Sequence, residues 1–144
     1  RGLAMAAVRE TFEETGLLLG SPTAQPLQTR SPHWQPFFAT GLAPALDKLD
    51  YFSRAITPPR MVRRFDARFF TVDARYVSGE LRGNGELDDL GWFDLHAVDD
   101  LKLAPITRLV LQLLRQRLSE SDEQPDVLPL YRKLNRKELF GHNR

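Results

Sequence analysis

Arg9-Glu10-Thr11-Phe12-Glu13-Glu14-Thr15-Gly16-Leu17 crowds three glutamates into five consecutive positions. The residues before and through it predict a helix over 3–15. At about 100° per residue, Ala4, Met5, Val8, Phe12 and Thr15 share one side, while Glu10, Glu13 and Glu14 share the other. Gly16 suits the position just past the helix end, because glycine accepts a positive φ. The polar face is therefore acidic rather than mixed. Each like-charged pair at i, i+3 or i+4 costs a few tenths of a kcal/mol. Glu13 and Glu14 also lie in the last turn, where the negative end of the helix dipole disfavours an anion by roughly 0.3–1 kcal/mol.

Local stability gains nothing from that arrangement, and two readings account for it. One is a solvated acidic face on which Arg9 pairs with Glu13 at i, i+4. The other is a site for a divalent cation, since hard ions such as Mg²⁺ or Mn²⁺ prefer carboxylate oxygens and would turn the repulsion into binding.

The order of residues separates the two. Arg9-Glu10-Thr11-Phe12-Glu13-Glu14-Thr15-Gly16-Leu17 resembles the second half of the Nudix box, Arg-Glu-U-x-Glu-Glu-x-Gly-U, where U is bulky and apolar. Every charged residue and the glycine match in register, and Thr11 alone stands where an aliphatic residue is usual. The complete box carries Gly-x5-Glu-x7 ahead of the arginine, which puts its first glutamate at the position of Arg1. The first half of the box and the family's leading strands are accordingly expected upstream.

The resemblance implies a Nudix-type α/β/α sandwich with a mixed central sheet, and a hydrolase that cuts the diphosphate of a nucleoside diphosphate derivative with Mg²⁺ or Mn²⁺. Carried over by position, Glu10 and Glu14 are the best metal ligands, and Glu13 is a ligand or a water-mediated partner. Arg9 orients the glutamates, and Gly16 ends the helix. The general base is Glu10 or a distal acid, for which Glu86, beside the turn-rich RGNG segment, is the candidate; its plain reading is a turn residue. The order of RETFEETGLLLG, a RAITPP strand, RRFDARFF and a C-terminal helix is similar to the bacterial group that includes CoA and acyl-CoA diphosphatases, with ADP-ribose or another nucleotide sugar as the rival substrate. A non-catalytic Nudix-like domain that binds a nucleotide or a protein is the competing function. Three intact, mutually repelling acids favour the enzyme.

Composition narrows the remaining classes. The chain has 144 residues, 42% of them hydrophobic, enough for one globular core, and its formal net charge is +1. That balance argues against a nucleic-acid-binding or polybasic membrane protein; a small-molecule nucleotide is the partner that the family resemblance implies. The family resemblance is also compatible with a homodimer. There is no cysteine, so disulfides, thiolate metal sites and cysteine nucleophiles are excluded. No apolar run approaches the roughly 18 residues of a membrane span, and the N-terminal apolar stretch is too short for a signal peptide. A cytoplasmic location is expected.

Along the rest of the chain, LLLG predicts a short strand followed by a proline-rich loop, and 34–46 a short helical turn. DYFSRAIT and RRFDARFFTVDA predict two strands of a hairpin around PPRMVR. A further strand is predicted over 87–93, with Trp92 as a core residue. DLHAVDDLKL predicts a short helix and PITRLVLQLLRQRL a longer one, opened by Pro105 and carrying an apolar stripe of Ile106, Leu109, Val110, Leu113 and Leu114. Residues 1–118 read as the catalytic domain and 119–144 as a C-terminal arm, packed or mobile. The hairpin carries Arg54, Arg60, Arg63, Arg64 and Arg68. Arginine grips phosphate bidentately, so Arg54 and Arg68, inside the predicted strands, are the candidate substrate-binding residues. A strand edge guarded by charge is their plain reading. Trp34, Phe37 and Phe38 read as core rather than as a base-stacking platform, and His33, His96 and His142 are scattered singly.

Overall fold

The computed structural model describes residues 1–57, 59, 64–87, 90–119, 128–134 and 137–143, the last two segments by their backbone. Helix α1 spans Gly2–Thr15 and stops where the sequence predicts. Gly16 adopts φ 74°, and its N–H donates to Phe12 O at 2.9 Å. The helix is followed by β1 (Gly20–Pro22), the short helix α2 (Gln35–Phe38), β2 (Leu42–Pro44), β3 (Asp50–Ile56), β4 (Asp66–Thr71), α3 (Pro105–Ser119), β5 (Leu128–Leu134) and β6 (Lys137–Asn143), with 3-10 turns at Leu46–Lys48, Ala74–Tyr76 and Ala97–Asp100. The class is α/β.

The described chain forms two units. The first comprises Arg1–Asp50 and Phe70–Gly91, and the second Tyr51–Phe69 and Trp92–Arg144. In the first, β1 and β2 pair antiparallel, with Gly20 opposite Pro44 and Pro22 opposite Leu42. The apolar side of α1 enters its core. Val8, Leu19, Phe37 and Ala45 are buried, with Phe12, Leu18, Trp34, Phe38, Leu42, Leu46 and Leu49 packed around them. Phe37 is fully enclosed, as the core reading requires. It meets Phe12 edge-on at 5.5 Å and Trp34 at 5.5 Å, both T-shaped arrangements that the ring quadrupoles favour. This cluster fixes the side of α1 that faces inward, and with it the side on which the glutamates stand.

The four-stranded sheet runs in the order β4-β3-β5-β6. Beside the β3–β4 pairing, Thr57 N–H donates to Phe65 O at 2.8 Å. The two expected strands are thus neighbours; most of the PPRMVR connection, including Arg60 and Arg63, lies outside the described residues. β3 and β5 are parallel, with Arg54 opposite Leu130, and β5 and β6 antiparallel, with Leu128 opposite Asn143. The sheet is therefore mixed, as expected, and the segment read as an arm supplies two of its strands.

In the second unit, α3 begins at Pro105 and its apolar stripe is half-buried. Arg115 ties it to the preceding turn. Its guanidinium donates to Leu95 O and, at 2.6 Å, to Asp99 Oδ2. Arg108 donates to Asp99 O at 2.9 Å and to Leu101 O at 3.0 Å. The Arg115 hydrogen bond, with its charge and that of Arg108, holds the Asp99 carboxyl below its usual range.

Two expectations fail around 87–93. The described residues of that segment, Leu87 and 90–93, form no strand, and Asp88 and Asp89 lie outside the described set. Trp92 is 72% exposed and Phe93 56% exposed, so Trp92 is not a core residue. The glycines at 83, 85 and 91 and the adjacent acids at 88 and 89 break the alternation that a half-buried strand needs.

Candidate functional site

The site grows from the C-terminal end of α1. Gly16 is required there twice over. Its φ lies in the left-handed region, which costs an L-residue with a side chain roughly 1–2 kcal/mol. A Cβ at this position would also stand 2.6 Å from Glu80 O and 2.7 Å from Arg82 Cγ. Gly79, at φ 90°, is its counterpart, since a Cβ there would lie 2.6 Å from Gly16 O. The two glycines let the chain cross itself at close range. Around the crossing, Leu18 N–H donates to Ser78 O at 2.8 Å, Ser78 N–H to Leu18 O at 2.9 Å, and Arg82 N–H to Thr15 O at 2.8 Å. The last bond also satisfies one of the carbonyls that a helix end leaves unpaired. Residues 78–82 are thereby pinned against the acidic end of α1, some 60 residues away in sequence.

That crossing makes a cleft of about 500 Å³ whose walls include Glu10, Glu13, Glu14, His33, Arg82 and Glu86. The structure thus brings Glu86 into one cavity with the three glutamates of α1. His33, Asn84 and Arg82 also line it, and the sequence offered no reason to group them there. Glu86 N–H is held by Asn84 Oδ1 at 2.9 Å in an Asx turn.

Arg9 organises the acids. Its Nη1 donates to Glu13 Oε2 and its Nη2 to Glu10 Oε1. Chiefly through the bond to Glu13, this environment raises the arginine's already high pKa. Arg9 and Glu13 are partly buried, their side chains 21% and 30% exposed. Only one oxygen of each carboxylate is used. Glu10 Oε2 and Glu13 Oε1 have no hydrogen-bond partner among the described residues, and Glu14 has none on either oxygen. Both readings of the acidic face therefore survive in part: Arg9 pairs as a surface arginine would, yet it leaves oxygens uncommitted.

Among the described residues, no three His, Asp or Glu side chains already converge on a point where they could hold a metal ion. The donor set nevertheless fits Mg²⁺ or Mn²⁺ in kind. It consists of carboxylate oxygens, with no thiolate to favour a softer ion.

Arg54 and Arg68 belong to the second unit. Arg54 grips Asp66 with Nε and Nη2, both at 2.7 Å, and Arg68 Nη1 stands 3.4 Å from Asp66 Oδ1. The Arg54 hydrogen bond is the main reason that the Asp66 carboxyl titrates below its usual range. Both arginines, expected at substrate, share an internal carboxylate.

The NUDIX domain model matches residues 2–114 of the chain. The chain belongs to the Nudix family. Membership makes it a hydrolase of the class that cleaves pyrophosphate bonds in nucleoside diphosphate derivatives, a class that generally uses divalent ions such as Mg²⁺ or Mn²⁺. Neither a curated protein nor a solved structure shows significant similarity to the chain. Among the described residues, no helix is long and apolar enough to cross a membrane.

Proposed function

We propose that the chain hydrolyses the diphosphate of a CoA, acyl-CoA or ADP-ribose-like substrate, with Mg²⁺ or Mn²⁺ held by Glu10, Glu13 and Glu14. The observation that carries the reading is the cleft in which these three carboxylates face Glu86 and Arg82. A bound divalent ion supplies neutralised phosphate oxygens and a more acidic water. The protein supplies the rest. Arg9, bonded to one oxygen of Glu10 and one of Glu13, fixes the orientation of both carboxylates. Glu86 or Glu10 accepts the proton of the attacking water as its oxygen bonds to phosphorus and the bridging P–O bond breaks. The absence of cysteine supports a reducing, cytoplasmic setting.

The test is a panel of CoA, acyl-CoA, ADP-ribose, NADH and dinucleoside polyphosphates, assayed with Mg²⁺ and with Mn²⁺ alongside Glu14→Gln. Hydrolysis of at least one substrate by the wild type, lost in the variant, supports the reading. No hydrolysis of any of them by the wild type defeats the catalytic reading and favours a binding domain. Equal activity in both proteins places the site elsewhere.

A further inference from the structure

Arg82 sits where the acidic cleft meets a second cavity. That cavity, of about 460 Å³, is walled by Phe12, Leu18, Pro36, Ala39, Thr40 and Glu80 among others, and it shares Phe12, Gly16, Pro36 and Arg82 with the first. One cavity is lined by four carboxylates and the other mainly by apolar side chains. A cation on their common wall faces both.

Two further observations make Arg82 more than a stray surface arginine. Its backbone is fixed by the 2.8 Å bond to Thr15 O, and its alkyl stem crosses Gly16 so closely that a Cβ there would meet Cγ at 2.7 Å and Nε at 3.4 Å. Yet its guanidinium forms no hydrogen bond or ion pair among the described residues. Arg9, Arg54, Arg68, Arg75, Arg108 and Arg115 pair with a carboxylate; Arg82 shares the lack of an ion pair among the described residues with Arg1, Arg30 and Arg64, but unlike them it lines the acidic cleft. A positioned, unpaired guanidinium beside four carboxylates suits an anion brought in from outside, because a planar five-donor fork matches phosphate oxygens.

We infer that Arg82 is a substrate-binding residue: it grips the diphosphate at the boundary of the two cavities and directs one of the groups that the diphosphate links into the second cavity. The inference rests on the reading of the acidic cleft as a diphosphate site. It also explains the glycine at 16, since a side chain there would displace the stem that aims the guanidinium.

The test measures equilibrium binding of ADP and of inorganic diphosphate at saturating Mg²⁺, by calorimetry. The proteins are wild type, Arg82→Met, Arg82→Lys and Arg75→Ala. Methionine keeps an apolar stem over Gly16 while removing the charge, so folding is preserved. Arg75→Ala removes a charge of the same unit from an arginine that is 71% exposed and paired with Asp73. Loss of a charge-assisted hydrogen bond predicts a Kd weakened about 10–150-fold for both ligands in Arg82→Met. Arg82→Lys should fall between it and the wild type, and Arg75→Ala should stay near the wild type. Wild-type affinity in Arg82→Met, an equal loss in Arg75→Ala, or no binding of either ligand by the wild type would overturn the inference. Binding that depends on Arg82 without hydrolysis of any substrate removes the catalytic reading and leaves the residue's role standing. Hydrolysis with kcat and KM unchanged in Arg82→Met removes the role alone.

Discussion

Replacing Gly16 by alanine tests the crossing that assembles the cleft, and a second glycine provides the reference. Gly41 has φ 78°, almost that of Gly16 at 74°, but a Cβ built on Gly41 meets nothing within 4 Å. Gly41→Ala therefore reports the backbone penalty alone, about 1–2 kcal/mol. Gly16→Ala carries the same penalty plus a Cβ 2.6 Å from Glu80 O and 2.7 Å from Arg82 Cγ. The Arg82 stem can swing away. The Glu80 carbonyl cannot move alone, because the backbone around it is bonded to Leu18 on one side and Thr15 on the other. Relief requires residues 78–82 to shift together, at a cost comparable to overpacking a core, about 1–3 kcal/mol more. Each kcal/mol lowers the melting temperature by roughly 4 °C at this chain length. Calorimetric melting should thus place Gly16→Ala clearly below Gly41→Ala. Hydrolysis, measured well below both melting temperatures, should fall in Gly16→Ala and persist in Gly41→Ala, because only the first moves Arg82 and Glu86 relative to the acids. Equal melting temperatures for the two variants, or full activity in Gly16→Ala, would refute the reasoning.

Two other substitutions probe the units separately. Phe37→Ala removes the fully buried ring at the centre of the first unit's aromatic cluster and should cost about 3–5 kcal/mol in urea unfolding. Asp99→Asn probes acid stability in the second unit. The folded-state pKa of Asp99 is lowered, first by the Arg115 hydrogen bond, so the ionised pair stabilises the fold above the unfolded carboxyl's pKa, about 3.9. That contribution is lost as pH falls through the lower folded value. The variant should be less stable than wild type at pH 7, and the two should converge on acidification. A gap that stays constant with pH would contradict this.

The helix and its acidic face were legible because both are local. Spacings of three and four residues place Glu10, Glu13 and Glu14 together, and the register of RETFEETGL points to the family that the domain match then shows. The fold class and the mixed sheet were expected from the family resemblance that this register carries. What the sequence hid depends on contacts far apart along the chain. LRGNGE reads as a turn, and nothing in it announces that Gly79 and Gly16 meet or that Arg82 turns toward α1. The resemblance implies a distal acid, and Glu86 is its candidate only by its place beside the RGNG turn; the crossing is the physical reason that it shares the cleft. The strand expected over 87–93 is absent from the described residues of that segment because glycines at 83, 85 and 91 and acids at 88 and 89 break the alternation that a half-buried strand needs. The final two strands were missed because Pro129 and a dense run of charge mask the pattern of a paired strand.

Glu14 offers the most direct measurement. Its carboxylate has no partner among the described residues, so Glu14→Gln removes a metal-holding charge without breaking an internal bond. Mn²⁺ titrated into the protein in the presence of ADP, and followed by electron paramagnetic resonance, reports the bound ion itself. Wild type should bind Mn²⁺ and Glu14→Gln should bind it about tenfold or more weakly, with a melting temperature equal to or slightly above that of wild type, since the variant loses a charge that the helix end disfavours. Equal Mn²⁺ affinity in the two proteins would contradict the claim that the acidic face of α1 is a metal site.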